Sequence, residues 1–176
     1  MKTNLLATII VLLSLSLKSN AQCKFKTNEA DPFTSEKHLV TKNIRLNGDM
    51  KSANESKFFA ITALELTGSA VRWNFEFYDL SLRDNKSNKL IKLRLKTKDS
   101  VFDITTNDIP DPKFTLNDNS EMTEFVFHFD LTIDQLKSIS RGLDLVGIEI
   151  FNENKLFKVN TLQDIVEYAK CMTQNK

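Results

Sequence analysis

The stretch Leu145–Cys171, LVGIEIFNENKLFKVNTLQDIVEYAKC, contains two short apolar segments separated by polar residues and followed by an amphipathic segment. Side chains alternate through Leu145–Phe151, as they do in a β-strand. One face of that strand is wholly aliphatic: Val146, Ile148 and Ile150. The residues of Asn152–Lys155 favour a turn, and alternation resumes over Leu156–Asn160. The pattern therefore predicts a β-hairpin.

A helix is predicted directly after this hairpin. Thr161 and Asp164 have the spacing of a capping box. Four apolar residues then fall on one stripe at helical spacing: Leu162, Ile165, Val166 and Ala169. We expect this helix to lie on the sheet. Cys171 falls off the stripe, near the end of the helix, where a partner cysteine can reach it.

The first residues have the pattern of a secretory signal peptide. Lys2 precedes an uncharged run from Leu5 to Leu17, and small residues lead up to Ala21. The run is shorter than the roughly 20 residues that a helix needs to cross a bilayer core. We therefore predict a signal peptide over 1–21, a single β-rich domain over 22–176, and no transmembrane segment after signal removal. The expected location is the periplasm or the medium.

Signal removal also sets the charge of the mature chain. The whole sequence has a formal net charge of +1, and loss of Lys2 and Lys18 leaves +1 − 2 = −1. A nearly neutral chain gives no electrostatic reason to expect nucleic acid or an anionic membrane as a partner.

Two cysteines remain in the predicted mature chain, Cys23 and Cys171. An exported protein meets an oxidising compartment, so we expect these two residues to form a disulfide. Closing so long a loop stabilises the folded state by about 4 kcal/mol in the chain-entropy description. Two buried thiols are one alternative. Lipid attachment at Cys23 is another, but Gln22 stands where a lipoprotein signal has a small residue.

Short segments at the two ends carry a resemblance to a known group of proteins. They are CKF at Cys23–Phe25, Asn28-Glu29, DPFT at Asp31–Thr34, Lys37, and AKC at Ala169–Cys171. In these segments the chain resembles a family of small uncharacterised exported proteins from bacteroidete bacteria. The resemblance implies a β-rich single domain with a C-terminal helix, and it assigns no active site.

The clearest strand pattern in the sequence is Val71–Leu80. Apolar and polar side chains alternate there, with Val71, Trp73, Phe75 and Phe77 on one face. Further strands are predicted at His38–Leu46, Lys57–Leu66, Ile91–Lys96, Val101–Thr106 and Phe125–Leu131. Thr27–Lys37 is predicted as an extended or loop segment fastened by Phe25, Phe33 and Cys23, and Asn107–Ser120 as an irregular segment suited to a binding loop.

Together these elements predict a mainly β fold with about seven or eight strands. Thr132 and Gln135 have capping-box spacing and open a short helix before the last hairpin, which ends near Gly142. The expected architecture is an antiparallel β-sandwich or a partly open barrel with a C-terminal helix. Most of the 13 Phe residues share strand faces with aliphatic residues, so we interpret them as core rather than as a carbohydrate platform.

The sequence lacks the common motifs of catalysis and cofactor binding. None of its four Gly residues lies in a phosphate-binding loop. His38 and His128 are the only histidines, and there is no His-Glu-x-x-His, Gly-x-Ser-x-Gly or Cys-x-x-Cys motif. We therefore expect no cofactor and assign no catalytic residue.

One constellation resembles a metal site or a His–Asp dyad: Glu124, His128 and Asp130, which strand alternation places on one face. Metal sites usually take their ligands from several elements, so a solvated polar face is the favoured interpretation. The Asp and Asn residues between 108 and 119 are a second candidate, for calcium, but their spacing does not match an EF-hand loop.

A ladder of like charges follows one strand face at Lys92, Arg94 and Lys96. Such a ladder suits an anionic glycan, a lipid head group or an acidic partner. The alternative is that these residues pair with carboxylates on neighbouring strands, or protect a sheet edge from aggregation.

The sequence therefore favours an exported, monomeric, non-catalytic binding or cell-envelope interaction module. Its expected partner is an unknown envelope component or an anionic glycan. One alternative is a small hydrolase that acts on an envelope polymer through His128 and Asp130. Another is a purely structural envelope protein.

Overall fold

The computed structural model describes residues 24–48, 58–80, 91–106, 113–117, 120–150 and 153–174. The predicted signal peptide, Cys23 and the loop residues 107–112 lie outside these ranges. Export, the disulfide and a calcium-binding loop therefore stay predictions.

The described residues form two antiparallel sheets and two α-helices. The strands are β1 (Phe25–Ala30), β2 (Lys37–Thr41), β3 (Ile44–Asn47), β4 (Phe58–Thr67), β5 (Ala70–Asp79), β6 (Lys92–Thr97), β7 (Val101–Thr105), β8 (Lys113–Asn117), β9 (Ser120–Leu131), β10 (Leu143–Ile150) and β11 (Glu153–Leu156). The helices are α1 (Ile133–Arg141) and α2 (Gln163–Gln174), and a short 3-10 turn, Val159–Thr161, precedes α2. This arrangement confirms the mainly β fold with a helix before the last hairpin and a C-terminal helix.

The large sheet has the strand order β1-β2-β4-β5-β9-β8, and β3 pairs with β4 beside β2. The small sheet has the order β11-β10-β6-β7. β7 also contacts β9, but in the described part of the chain no hydrogen-bonded ladder joins them. The architecture is therefore a sandwich of two sheets.

Eleven strands are described, where the sequence predicted seven or eight. The single strand predicted over His38–Leu46 is interrupted at Lys42 and Asn43, so β2 and β3 pair with successive parts of β4. β1 forms inside the segment expected to be extended or loop, and β8 forms inside the segment expected to be irregular. These short polar strands are stabilised by pairing with a neighbour, which a single-strand pattern does not reveal.

Phe33 was expected to fasten the entry segment to the core. This prediction is wrong, because Phe33 is 94% exposed in the turn between β1 and β2. The Asp31 carboxylate accepts hydrogen bonds at 2.8 Å from the backbone N–H groups of Phe33 and Thr34. These bonds lower the pKa of Asp31. The turn is thus held by a local Asx interaction, and its aromatic ring points away from the core.

Aromatic side chains on β5 and β9 form the centre of the core. Register places Trp73 opposite Phe129, Phe75 opposite Phe127 and Phe77 opposite Phe125, and all six are buried. The small sheet adds Leu93, Leu95, Val146 and Ile148, and the helices add Leu136, Ile139, Ile165, Val166, Ala169 and Met172. The interpretation of these phenylalanines as core is confirmed. Burial of each ring contributes roughly 1.5–3 kcal/mol to stability.

The two predicted helix starts differ in outcome. Thr132 forms a complete capping box, because its hydroxyl accepts from the Gln135 N–H and the Gln135 side chain accepts from the Thr132 N–H. The predicted box at Thr161 and Asp164 is wrong, since α2 begins only at Gln163 and the Thr161 hydroxyl donates to the Lys158 carbonyl. Thr161, which was expected to cap α2, is instead the last residue of the 3-10 turn before this helix.

The hairpin β10–β11 also starts its second strand earlier than predicted. Glu153–Lys155 was interpreted as part of the turn, but these residues pair with Ile148–Ile150 in the small sheet. Lys155 then points inward and is buried. This shift places a charged side chain between the two sheets.

Candidate ligand-binding faces

The outer face of the small sheet carries the predicted ladder of Lys92, Arg94 and Lys96. Lys92 Nζ lies 3.1 Å from Glu149 Oε2, and Arg94 Nε lies 3.3 Å from Asp103 Oδ1. Lys96 is exposed and has no ion pair within the described ranges. Two members of the ladder thus pair with carboxylates on neighbouring strands, which is the alternative that the sequence left open.

The predicted constellation of Glu124, His128 and Asp130 follows the outer face of β9 in the large sheet. Strands rise about 3.3 Å per residue, so the Cα atoms of Glu124 and His128 are about 13 Å apart. Asp130 Oδ1 lies 3.5 Å from Arg72 Nε on β5. Among the residues that the structure describes, no three His, Cys, Asp or Glu side chains are grouped to hold a metal ion. The three residues share a face but are not brought together.

Three side chains on β3, β4 and β5 form a stack on the same outer face, which we call the aromatic column: Arg45, Phe59 and Tyr78. The Phe59 and Tyr78 ring centroids are 4.7 Å apart, and the ring planes differ by 16°. The Arg45 guanidinium carbon lies 4.1 Å from the Phe59 centroid. Phe59 is therefore covered on both faces by a stacked ring and a cation. Tyr78 has one face against Phe59, and its other face is directed toward β9.

Carboxylates flank the Tyr78 end of the column. The Tyr78 hydroxyl donates to Glu76 Oε2 at 3.4 Å. Glu124, on the neighbouring strand β9, lies directly opposite Tyr78. Burial, the negative charges of Glu124 and Glu76 and this hydrogen bond all raise the pKa of Tyr78. The hydroxyl therefore stays protonated at neutral pH, and the column has a phenol and two acceptor carboxylates at one end.

Sequence reasoning missed this column, although a signal for it was present. Gly68 and Ser69 form a two-residue connection between β4 and β5, and Thr67 pairs with Ala70. Counting outward from that turn sets the register and places Phe59 opposite Tyr78. Alternation within β5 alone places Tyr78 only on the polar face of its own strand.

A second polar row on this face joins β2, β4 and β5. His38 Nε2 lies 3.2 Å from Glu65 Oε1, and the Asn74 amide donates to Glu65 Oε2 at 3.2 Å. The row orients His38, and Asn74 lies opposite His128 in the strand register. Asp130, the other member of the predicted pair, lies beside Arg72.

A buried ionic cluster lies between the two sheets, where the sequence predicted a turn. Lys155 Nζ lies 3.0 Å from Asp79 Oδ2 and 2.7 Å from Glu153 Oε2. The Asp79 side chain is fully buried and that of Lys155 is 10% exposed, while Glu153 is half exposed. Burial lowers the pKa of Lys155, but hydrogen bonds and charges from Glu153 and Asp79 outweigh it, so the net shift is upward. Lys155 is therefore a stably charged structural cation.

No described helix is long and apolar enough to cross a membrane. In comparisons with known proteins, no family model, no curated protein and no solved structure matches the chain. The residues themselves therefore carry the functional argument.

Proposed function

We propose that this protein is an exported, non-catalytic module that binds a glycan of the cell envelope on the outer face of its large sheet. The observation that carries the proposal is the aromatic column, with Tyr78 at its end and Glu76 and Glu124 beside the hydroxyl. A half-buried tyrosine on a sheet face offers a flat apolar ring and a polar tip in one side chain.

The side chains around Tyr78 match the chemistry of a sugar. The apolar C–H face of a pyranose packs on an aromatic ring, while its hydroxyls donate to carboxylates and accept from amides. Asn47, directly opposite Phe59, supplies an amide oxygen that accepts from Arg45 Nε at 3.1 Å. Two carboxylates next to the ring repel an acidic sugar, so the favoured ligand of this face is a neutral glycan.

The ladder supports a second candidate, an anionic glycan on the small sheet. Among the described residues, Lys96 is the member of the ladder that has no carboxylate partner. Since Lys92 and Arg94 already have partners, binding there is expected to be weaker and to fall with added salt.

The hydrolase alternative requires His128 and Asp130 to act together, and the Asp130 carboxylate lies 3.5 Å from Arg72 Nε on β5. Turnover of an envelope polymer that is lost in His128→Ala would establish it. A structural protein without a ligand would bind no glycan on either face.

Affinity electrophoresis and calorimetry with a panel of neutral and acidic polysaccharides test the proposal. We expect a neutral glycan to bind, and Tyr78→Ala to weaken its binding at least tenfold, equal to about 1.4 kcal/mol. Tyr78→Phe keeps the aromatic ring and should weaken the binding of the neutral glycan less than Tyr78→Ala does. Lys96→Ala is the matched control on the other face and should leave neutral-glycan binding unchanged.

Melting curves of each variant verify that it is folded at the assay temperature. Failure of every neutral glycan to bind, or equal binding by wild type and Tyr78→Ala, would overturn the proposal. If the protein bound only acidic glycans, and Lys96→Ala abolished that binding, the binding site would be the ladder and not the aromatic column.

We also propose that Cys23 and Cys171 form a disulfide in the exported chain. Cys171 lies in the last turn of α2, and one turn earlier the Tyr168 hydroxyl donates to the Lys24 carbonyl at 3.2 Å. The rings of Phe25 and Tyr168 are 6.2 Å apart. These contacts hold the residue after Cys23 beside α2, which supports the pairing.

Intact mass of protein recovered from its host tests export and pairing in one measurement. A chain that begins at Gln22 and is two hydrogens lighter than its reduced form is expected. An acylated Cys23 would instead indicate a lipoprotein, and an uncut leader would exclude signal cleavage.

A further inference from the structure

The two sheets have different outer edges. β1, at one edge of the large sheet, has Lys26 as its second residue and an irregular register between Phe25 and Thr27. A charge and a bulge are the usual protections of an edge strand against pairing with another chain. β7, at one edge of the small sheet, has the sequence VFDIT, with no Pro and no register shift, and its one charged residue, Asp103, lies 3.3 Å from Arg94 on β6. Its composition favours further strand pairing.

The backbone groups on the open edge of β7 follow from its hydrogen bonds to β6. Thr97 N–H donates to the Ser100 carbonyl at 2.9 Å, and Thr106 N–H donates to the Ile91 carbonyl at 3.1 Å. In an antiparallel pair such bonded positions alternate along the strand, so Phe102 and Ile104 also face β6. The N–H and C=O groups of Val101, Asp103 and Thr105 therefore point away from β6. No other described strand pairs with them.

The side chains of β7 are also incompletely covered. Val101 is 73% exposed and is one of three exposed large apolar side chains among the described residues. Phe102 and Ile104 pack against the core but are only partly buried. An added strand would cover Phe102 and Ile104 on the core side and Val101 on the outer side.

We propose that β7 is a self-association edge, on which β7 of a second copy of this chain adds antiparallel about a two-fold axis at Asp103. This arrangement joins the two small sheets into one continuous sheet. It goes beyond glycan binding and does not depend on it, since the aromatic column lies on the other sheet.

The second copy fits because β7 is complementary to itself. With Asp103 at the centre, Val101 faces Thr105 of the other copy, and all three outward-pointing residues exchange backbone hydrogen bonds. Phe102 faces Ile104 of the other copy on the core side, an aromatic and β-branched pair that stabilises neighbouring strands. The two central carboxylates meet, but each is already paired with its own Arg94 at 3.3 Å. A strand of five residues buries little surface, so the dimer is expected to be weak and reversible.

Cysteine cross-linking tests the register. In the proposed dimer the Asp103 Cα atoms are about 5.5 Å apart, within disulfide range. Asp103→Cys should therefore form a covalent dimer under mild oxidation. Lys96→Cys is the matched control, because it lies on the same face one strand further in, about 20 Å from its copy, three strand spacings across and four residues along the sheet. Val101→Cys and Thr105→Cys should cross-link when mixed, but neither should do so alone.

Sedimentation of the wild-type protein over a range of concentrations tests association directly. We expect reversible dimerisation that is lost in Thr105→Pro, which removes one edge N–H without removing a bond to β6. Thr105→Val keeps that N–H and should still dimerise. A wild type that stays monomeric up to about 1 mM, equivalent to a binding free energy weaker than about −4 kcal/mol, would overturn the proposal. So would a dimer that persists in Thr105→Pro, or equal cross-linking at Asp103→Cys and Lys96→Cys.

Discussion

The buried cluster of Lys155 and the exposed ladder on β6 contain nearly the same ion pairs in different surroundings. Lys155 Nζ is 3.0 Å from Asp79, and Lys92 Nζ is 3.1 Å from Glu149. Asp79 is fully buried, whereas the Lys92 and Glu149 side chains are each about one-third exposed. Distance alone therefore does not rank the two pairs, and solvent access does.

The physical reason is the cost of desolvation. A buried charge that loses its partner cannot regain water, so breaking a buried pair costs far more than breaking an exposed one. We expect the cluster of Lys155 to hold the two sheets together. The ladder pairs instead exchange easily with solvent or with a ligand.

Replacing Lys155 by Met has the largest expected effect. The substitution removes the ammonium that lies 3.0 Å from the buried Asp79 carboxylate, and we expect the free energy of unfolding to fall by about 3–5 kcal/mol. Urea denaturation followed by circular dichroism measures the change. A loss below about 1 kcal/mol would mean that the cluster behaves like the ladder.

The double variant Asp79→Leu with Lys155→Met is the control for this prediction. Removing the Asp79 carboxylate together with the Lys155 ammonium avoids leaving a buried charge without this ion pair, so most of the lost stability should return. If the double variant is no more stable than Lys155→Met, the loss reflects packing around Phe58, whose ring lies 5.7 Å from Lys155 Nζ.

The next largest effect expected is a loss of stability at alkaline pH. The pKa of Lys155 is raised above 10.5 in the folded protein, so its contribution is present below pH 10.5 and is lost as the pH rises through the folded pKa. The pKa of Tyr78 is also raised above its ordinary 10.0. Ionisation of Tyr78 therefore also lowers the stability of the folded protein as the pH rises. Urea midpoints should therefore fall above about pH 10. The fall should be shallower in Lys155→Met and in Tyr78→Phe, and an unchanged slope in both would contradict the assignment.

The smallest effect is expected at the ladder. Glu149→Gln weakens the recorded pairs of Lys92 and Arg94 together, yet exposed pairs contribute about 0–1 kcal/mol, so the melting temperature should change little. A loss as large as that in Lys155→Met would remove the distinction between the two clusters.

Periodicity predicted the parts of the fold in which a strand has its own amphipathic pattern. β5 and β9 are examples, because their aromatic stripes indicate both the strand and its buried face. β1 and β8 lack such a pattern, and they exist because a neighbouring strand offers hydrogen-bonding partners. That information is held in the tertiary arrangement and not in the local sequence.

The candidate sites show the same division. The ladder was predicted because its residues are i, i+2 and i+4 on one strand, but its pairing with Asp103 and Glu149 depends on strand order. The aromatic column required the register of a hairpin, and the cluster of Lys155 required a strand start three residues earlier than the turn residues indicated. Each missed feature joins residues from different strands.

The contact between Tyr168 and Lys24 places the beginning of β1 beside the C-terminal helix α2. Because the first strand and the last helix are held side by side, a short linker from the end of α2 to β1 would join them without crossing the core. New ends opened in the exposed Asp31–Glu36 turn would interrupt no strand. The fold is therefore suited to circular permutation, and a permutant would separate the order in which strands are synthesised from the order in which they pair.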